Sequence, residues 1–100
     1  MKIRITRRAL RHLDEVRAYI AVDNPAAANK TIARLREAIN GLTLYPERGR
    51  PGRIVGTREL VVSGTPYIVP YRLTGDAIDI LAVLHGARAW PGSRPISRPR

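Results

Sequence analysis

Cysteine is absent from the 100 residues. That excludes a disulfide framework, a thiolate nucleophile and any zinc site built on cysteine. Phenylalanine is absent too, and four tyrosines and one tryptophan are the whole aromatic complement. A single-strand nucleic-acid platform usually stacks bases on several exposed rings, so that class starts unsupported. The two histidines, His12 and His85, stand 73 positions apart with no third soft ligand, which gives no metal-binding spacing. No apolar run approaches the ~20 residues of a membrane helix. The opening Met1-Lys2-Ile3-Arg4-Ile5 lacks the apolar centre of a secretory signal. These absences fit a cytoplasmic protein that carries neither metal nor cofactor.

Acidic residues are also scarce. Eight Asp+Glu oppose eighteen Lys+Arg, a net charge of +10, and sixteen of the cations are arginine. Such a balance draws polyanions or acidic partners, and guanidinium forks favour carboxylate and phosphate. GC-rich codon usage produces the same excess with no functional meaning. The chain length allows one domain, and a hydrophobic fraction of 44% suffices for one core.

The residues read as strand, helix, helix, strand, strand, strand. Lys2-Ile3-Arg4-Ile5-Thr6 alternates with the period of a half-buried strand. Thr6 can cap a helix whose apolar positions are Leu10, Leu13, Val16 and Ile20. Arg7 and Arg8 fall in its first turn, where the helix dipole disfavours cations. Asn24-Pro25 restarts a second helix, with Ala28, Ile32, Leu35, Ile39 and Leu42 on one stripe and Pro46 as its stop. The short connector predicts an antiparallel helical hairpin. Residues 46–53 form a loop rich in Pro, Gly and Arg. Residues 58–62 and 67–73 then make a hairpin around Ser63-Gly64-Thr65-Pro66. Pro70 removes a ladder donor, so its nitrogen should face an edge or a bulge. Residues 77–84 are the most apolar strand and should be central. The expected fold is α+β, the helical hairpin covering one face of a small antiparallel sheet. The domain spans residues 1–91, and residues 92–100 form a basic tail with the composition of disorder.

Asn24-Pro25, Pro46, Gly49-Arg50, Gly56-Thr57-Arg58-Glu59-Leu60, Pro66-Tyr67-Ile68-Val69 and Val83-Leu84-His85-Gly86-Ala87-Arg88-Ala89-Trp90-Pro91 together resemble the RelE/ParE superfamily of bacterial toxins. The resemblance covers roughly residues 1–91. It implies a toxin of a type II toxin–antitoxin pair, held in a hetero-oligomer by a ParD-like antitoxin with an acidic, partly helical C-terminal segment. RelE-like members cut messenger RNA on the ribosome; ParE-like members poison DNA gyrase. Where RelE-like sequences tend to carry lysines this chain has Glu59 and Val61, and Ile68 replaces an arginine. Arg88 corresponds to the arginine after the last strand, but no tyrosine follows it. The ParE-like branch, inhibiting gyrase by binding, is the better match.

An acid–base set remains as the alternative, a ribosome-dependent mRNA endonuclease. Glu59, Arg72 and His85, with Arg88, could imitate the Glu, Arg and His of some superfamily members, provided that His85 emerges on the sheet face of the other two. Otherwise Glu59 pairs with Arg58 or Arg72, and His85 ends its strand. In the binding reading the contact candidates are Arg48, Arg50, Arg53, Arg88 and Trp90, although Trp90 before a proline more often seals a core. No phosphate-binding glycine loop and no serine with a nearby base is present.

Overall fold

The computed structural model describes residues 1–86; Arg88, Trp90 and the basic tail lie outside the described residues. The elements run β1 (Lys2–Ile5), α1 (Arg7–Ala21), α2 (Pro25–Gly41), β2 (Arg50–Pro51), β3 (Arg58–Val61), β4 (Tyr67–Thr74), β5 (Ala77–Ile80) and β6 (Leu84–His85). The α+β class and the helical hairpin are as the sequence predicts.

Both helices begin where their caps stand. The Thr6 hydroxyl accepts the Ala9 N–H at 3.2 Å, and the Asn24 side chain accepts the Ala27 N–H at 3.0 Å. Thr6 also donates its hydroxyl to the Ile80 carbonyl at 2.8 Å, so the cap pins the start of α1 to the end of β5. On α1 the buried positions are Ala9, Leu13 and Val16, while Leu10, expected inside, is largely exposed. Helix α2 ends at Gly41, before Pro46, and Leu42 turns back into the core.

The sheet order is β1-β5-β4-β3-β2, with β6 pairing β4 beyond β5. It is mixed, not wholly antiparallel: β1 lies parallel to β5, with Ile3 opposite Ile78 and Ile5 opposite Ile80. Alternation assigns each isoleucine to a face but is silent on strand direction, which the hairpin crossover decides. One face carries the core, where Leu60, Val62, Val69, Tyr71, Ile78 and Ile80 meet the helices. The opposite, outer face holds a smaller cluster of Ile68, Ala82 and Leu84, joined by Ile54 and Leu81.

The apolar run 77–84 is not one strand. Tyr71 pairs Ile80 and Ile68 pairs Leu84, so Leu81, Ala82 and Val83 stand opposite only Val69 and Pro70. That single extra residue is a β-bulge. The Leu81 N–H donates to the Pro70 carbonyl at 2.9 Å, which points the Pro70 nitrogen at the same discontinuity. Proline is tolerated in this interior strand because the bulge has no use for its missing donor. The N–H of Val83, displaced from regular pairing, donates instead to Nδ1 of His12 on α1 at 3.1 Å.

Beyond the loop, the buried Tyr71 hydroxyl donates to the Pro46 carbonyl at 2.7 Å and accepts the Gly49 N–H at 2.9 Å. Burial pushes the Tyr71 phenol above its ordinary pKa. The ring therefore stays neutral as donor and acceptor and fixes the start of the basic loop.

His12→Ala should leave the Val83 N–H without its acceptor and destabilise the fold by about 1–3 kcal/mol in urea unfolding. A change below about 0.5 kcal/mol would show that the bulge does not depend on this imidazole.

Candidate functional site

The outer sheet face carries two carboxylates, each clasped by arginines. Glu59, on β3, is 1% exposed. Its partners are the Arg50 guanidinium at 3.3 Å, the Arg53 backbone N–H at 3.1 Å and the Arg53 side chain at 3.6 Å. Arg50 comes from β2, whose two residues pair Glu59 and Arg58. The expected pairings of Glu59 with Arg58 or Arg72 do not form. Arg58 donates to the carbonyls of Glu47 and Gly49 at 3.1 and 2.7 Å, and Arg72 stands opposite Asp79.

The loop after β2 folds over Glu59 and buries it. The Gly52 N–H donates to the Thr57 carbonyl at 2.8 Å, and a Cβ at Gly52 would stand 2.1 Å from the Thr57 hydroxyl, so glycine is required. Thr57 donates its own N–H and hydroxyl to the Ile54 carbonyl at 3.1 and 2.7 Å. Ile54 seats on the outer apolar cluster. Sequence reasoning missed this closure, though Gly52 and Gly56 bracketing two apolar residues were the available signal.

Asp79, on β5, accepts from Arg4 Nε at 2.6 Å and Nη2 at 3.1 Å. The Arg4 hydrogen bonds hold its carboxyl below the usual range, against partial desolvation and with help from Thr74 and Arg72. Arg4, Asp79 and Arg72 thus line up across β1, β5 and β4.

His85 lies on the other side of the sheet. It pairs Tyr67, whose side chain belongs to the helix-facing core, and the two rings meet edge-on at 5.8 Å. Both line a cleft of about 720 Å³ against α1, together with His12, Val16, Tyr19 and Ile20. The bulge is the cause. Ile78 and Ile80 face the helices, so uninterrupted alternation would put His85 on the outer face with Glu59. One added residue reverses it. Glu59 and Arg72 share the outer face, but Glu59 is sealed under the loop and Arg72 stands opposite Asp79 in the strand register. The structure does not assemble the three residues into one acid–base site.

Of the other candidates, Arg50 and Arg53 flank Glu59, and their side chains remain about half exposed (55% and 43%). Arg48 stacks over Tyr45, 5.3 Å from the ring centroid. Arg88 and Trp90 fall outside the described residues. Val61 and Ile68, where RelE-like sequences tend to be basic, pair with each other across β3 and β4. That stretch of the sheet is apolar. Among the described residues no group of three His, Cys, Asp or Glu side chains stands close enough to hold a metal ion. None of the described helices is long and apolar enough to cross a membrane.

The described residues thus form a helical hairpin on one face of a small mixed sheet and an arginine-clasped loop on the other. Residues 3–90 match the family model described as the ParE toxin of the type II toxin–antitoxin system parDE, and the chain belongs to that family. It is 52% identical over 90 residues to the Y4kP protein of Sinorhizobium fredii, named as a toxin, covering 90% of this chain and 93% of that one. It is 40% identical over 83 residues to toxin RelE2 of Caulobacter vibrioides, covering 83% and 92%. A solved structure titled as the chromosomal ParDE toxin–antitoxin system from P. aeruginosa superposes with a TM-score of 0.78. The two are 28% identical, with 85% of this chain and 95% of that one covered. The relatives carry both RelE and ParE names, and a shared fold does not choose between targets.

The stability Asp79 contributes is present above the ordinary carboxylate pKa and lost as pH falls through its lowered one. Arg4→Ala should therefore flatten the loss of Tm on acidification below about pH 4. An unchanged acid limb would mean that the pair contributes nothing measurable.

Proposed function

We propose that this toxin acts by binding and that its target is DNA gyrase, with a ParD-like antitoxin as the partner that neutralises it in the cytoplasm. The observation that carries the binding reading is the separation of Glu59 from His85. A general acid–base pair must reach one substrate proton path. Here one member is sealed beneath a loop and the other faces a helix. The family match supports the toxin role and the antitoxin, and the preference for gyrase over the ribosome rests on the ParE assignment together with the apolar Val61 and Ile68.

The antitoxin reading draws on the hairpin side of the molecule. Tyr19 is strongly exposed at the apolar cleft, whose lining carries both Arg11 and Glu15, and Val22, one position past the end of α1, is exposed as well. An amphipathic segment would meet apolar surface there, and the +10 charge of the whole chain would speed the approach of an acidic one.

Pulse labelling after induction without antitoxin tests the target. DNA synthesis should fall first while translation continues, and purified toxin should inhibit gyrase supercoiling. His85→Ala should keep its toxicity. Early collapse of translation, with His85→Ala inactive but folded and still binding antitoxin, would establish the RelE-type endonuclease instead.

A further inference from the structure

The turn at residues 52–57 has a property that neither core packing nor Glu59 explains. Its backbone is pinned on both sides of Val55. Ile54 is seated on the outer cluster and its carbonyl takes two hydrogen bonds from Thr57; the Arg53 N–H is held by Glu59. Gly56 supplies the positive φ of 85° that closes the turn. Between these anchors Val55 is 96% exposed, more than any other large apolar residue described. Scattered exposed apolar residues are ordinary on a protein surface. This one is held at the apex of the turn, and the same buried carboxylate that pins the turn also holds two half-exposed arginines beside it.

We propose that this turn is the toxin's contact with its target: Val55 enters an apolar notch on a protein surface, and Arg50 and Arg53 meet carboxylates at the rim of that notch. The proposal rests on the reading that the chain acts by binding. Glu59 neutralises only one of the two guanidinium charges it holds, so the site keeps a net positive charge for an acidic partner. A turn fixed before binding loses little conformational entropy on docking, which favours a small contact carrying much of the affinity. Arginines around a desolvated apolar anchor are the composition of interface hot spots. A phosphate backbone would engage the guanidinium groups and leave the apolar apex in water, whereas a protein surface with an acidic rim uses both.

The test compares wild type, Val55→Asp and Val55→Ser for growth arrest on titrated expression without antitoxin, with thermal unfolding and antitoxin copurification as controls. At 96% exposure neither change should disturb folding or antitoxin binding. The expression level needed for arrest should rise about tenfold for Val55→Asp and by less for Val55→Ser. Wild-type toxicity in both folded variants overturns the proposal. So does loss of toxicity in Arg50→Ala and Arg53→Ala variants that keep the wild-type Tm while Val55→Asp stays fully toxic, the pattern of phosphate contact. Should Val55→Asp misfold, Val55→Ser decides. Growth arrest is read whichever target is struck, so failure of the wild type to inhibit gyrase defeats the gyrase reading separately.

Discussion

A single extra residue in the sheet governs both of its faces. Because residues 81–83 oppose only Val69 and Pro70, every side chain beyond the bulge changes side. Val83 goes to the helix-facing core, while Ala82 and Leu84 go to the outer cluster on which Ile54 seats. His85 goes to the cleft beside α1. The bulge also displaces a backbone donor, and His12 accepts it. An apparently incidental histidine on α1 thus completes the sheet's hydrogen bonding. Pro70, a poor residue for an interior strand, sits at the one place where that strand lacks a regular partner.

Glu59 plays the corresponding part on the outer face. A carboxylate taken out of water is stable only if its lone pairs are filled, and here one backbone N–H and two guanidinium groups fill them. Removing a partner from such a buried pair generally costs about 3–5 kcal/mol, since the remaining charge is left uncompensated. Glu59 is therefore tied to the shape of the loop more than to any chemistry of its own. The loop's shape in turn decides how the arginines are presented. Mobile cations at the end of a flexible loop would contribute diffuse attraction; cations held by a buried carboxylate have a fixed direction.

The two faces of the sheet differ in their charge. Arg4 and Arg72 lie with Asp79 at one end of the outer face, and Arg50 and Arg53 lie with Glu59 near the apolar cluster at the other. The hairpin side offers instead a cleft lined by Val16, Ile20 and the exposed Tyr19. In the proposed reading the antitoxin takes the hairpin side and the target the outer loop, and the sheet keeps the two surfaces apart.

Local patterns were enough to establish the two helices, their Thr6 and Asn24 caps, the Ser63-Gly64-Thr65-Pro66 turn and the α+β class. Capping, turn chemistry and periodicity act over a few residues, so they can be read from neighbours in the chain. The same was true of Pro70, whose missing donor announced a discontinuity without saying where its consequences would fall. Of the candidate site, the residue types were legible and their grouping was not. Alternation carries no memory of an inserted residue, so His85 could be assigned to a face only once the pairings of Tyr71 with Ile80 and Ile68 with Leu84 were known. The partners of Glu59 arrive through a loop closure, and the parallel direction of β1 through a crossover. Each joins residues that are separate in sequence, and only the packed chain brings them together.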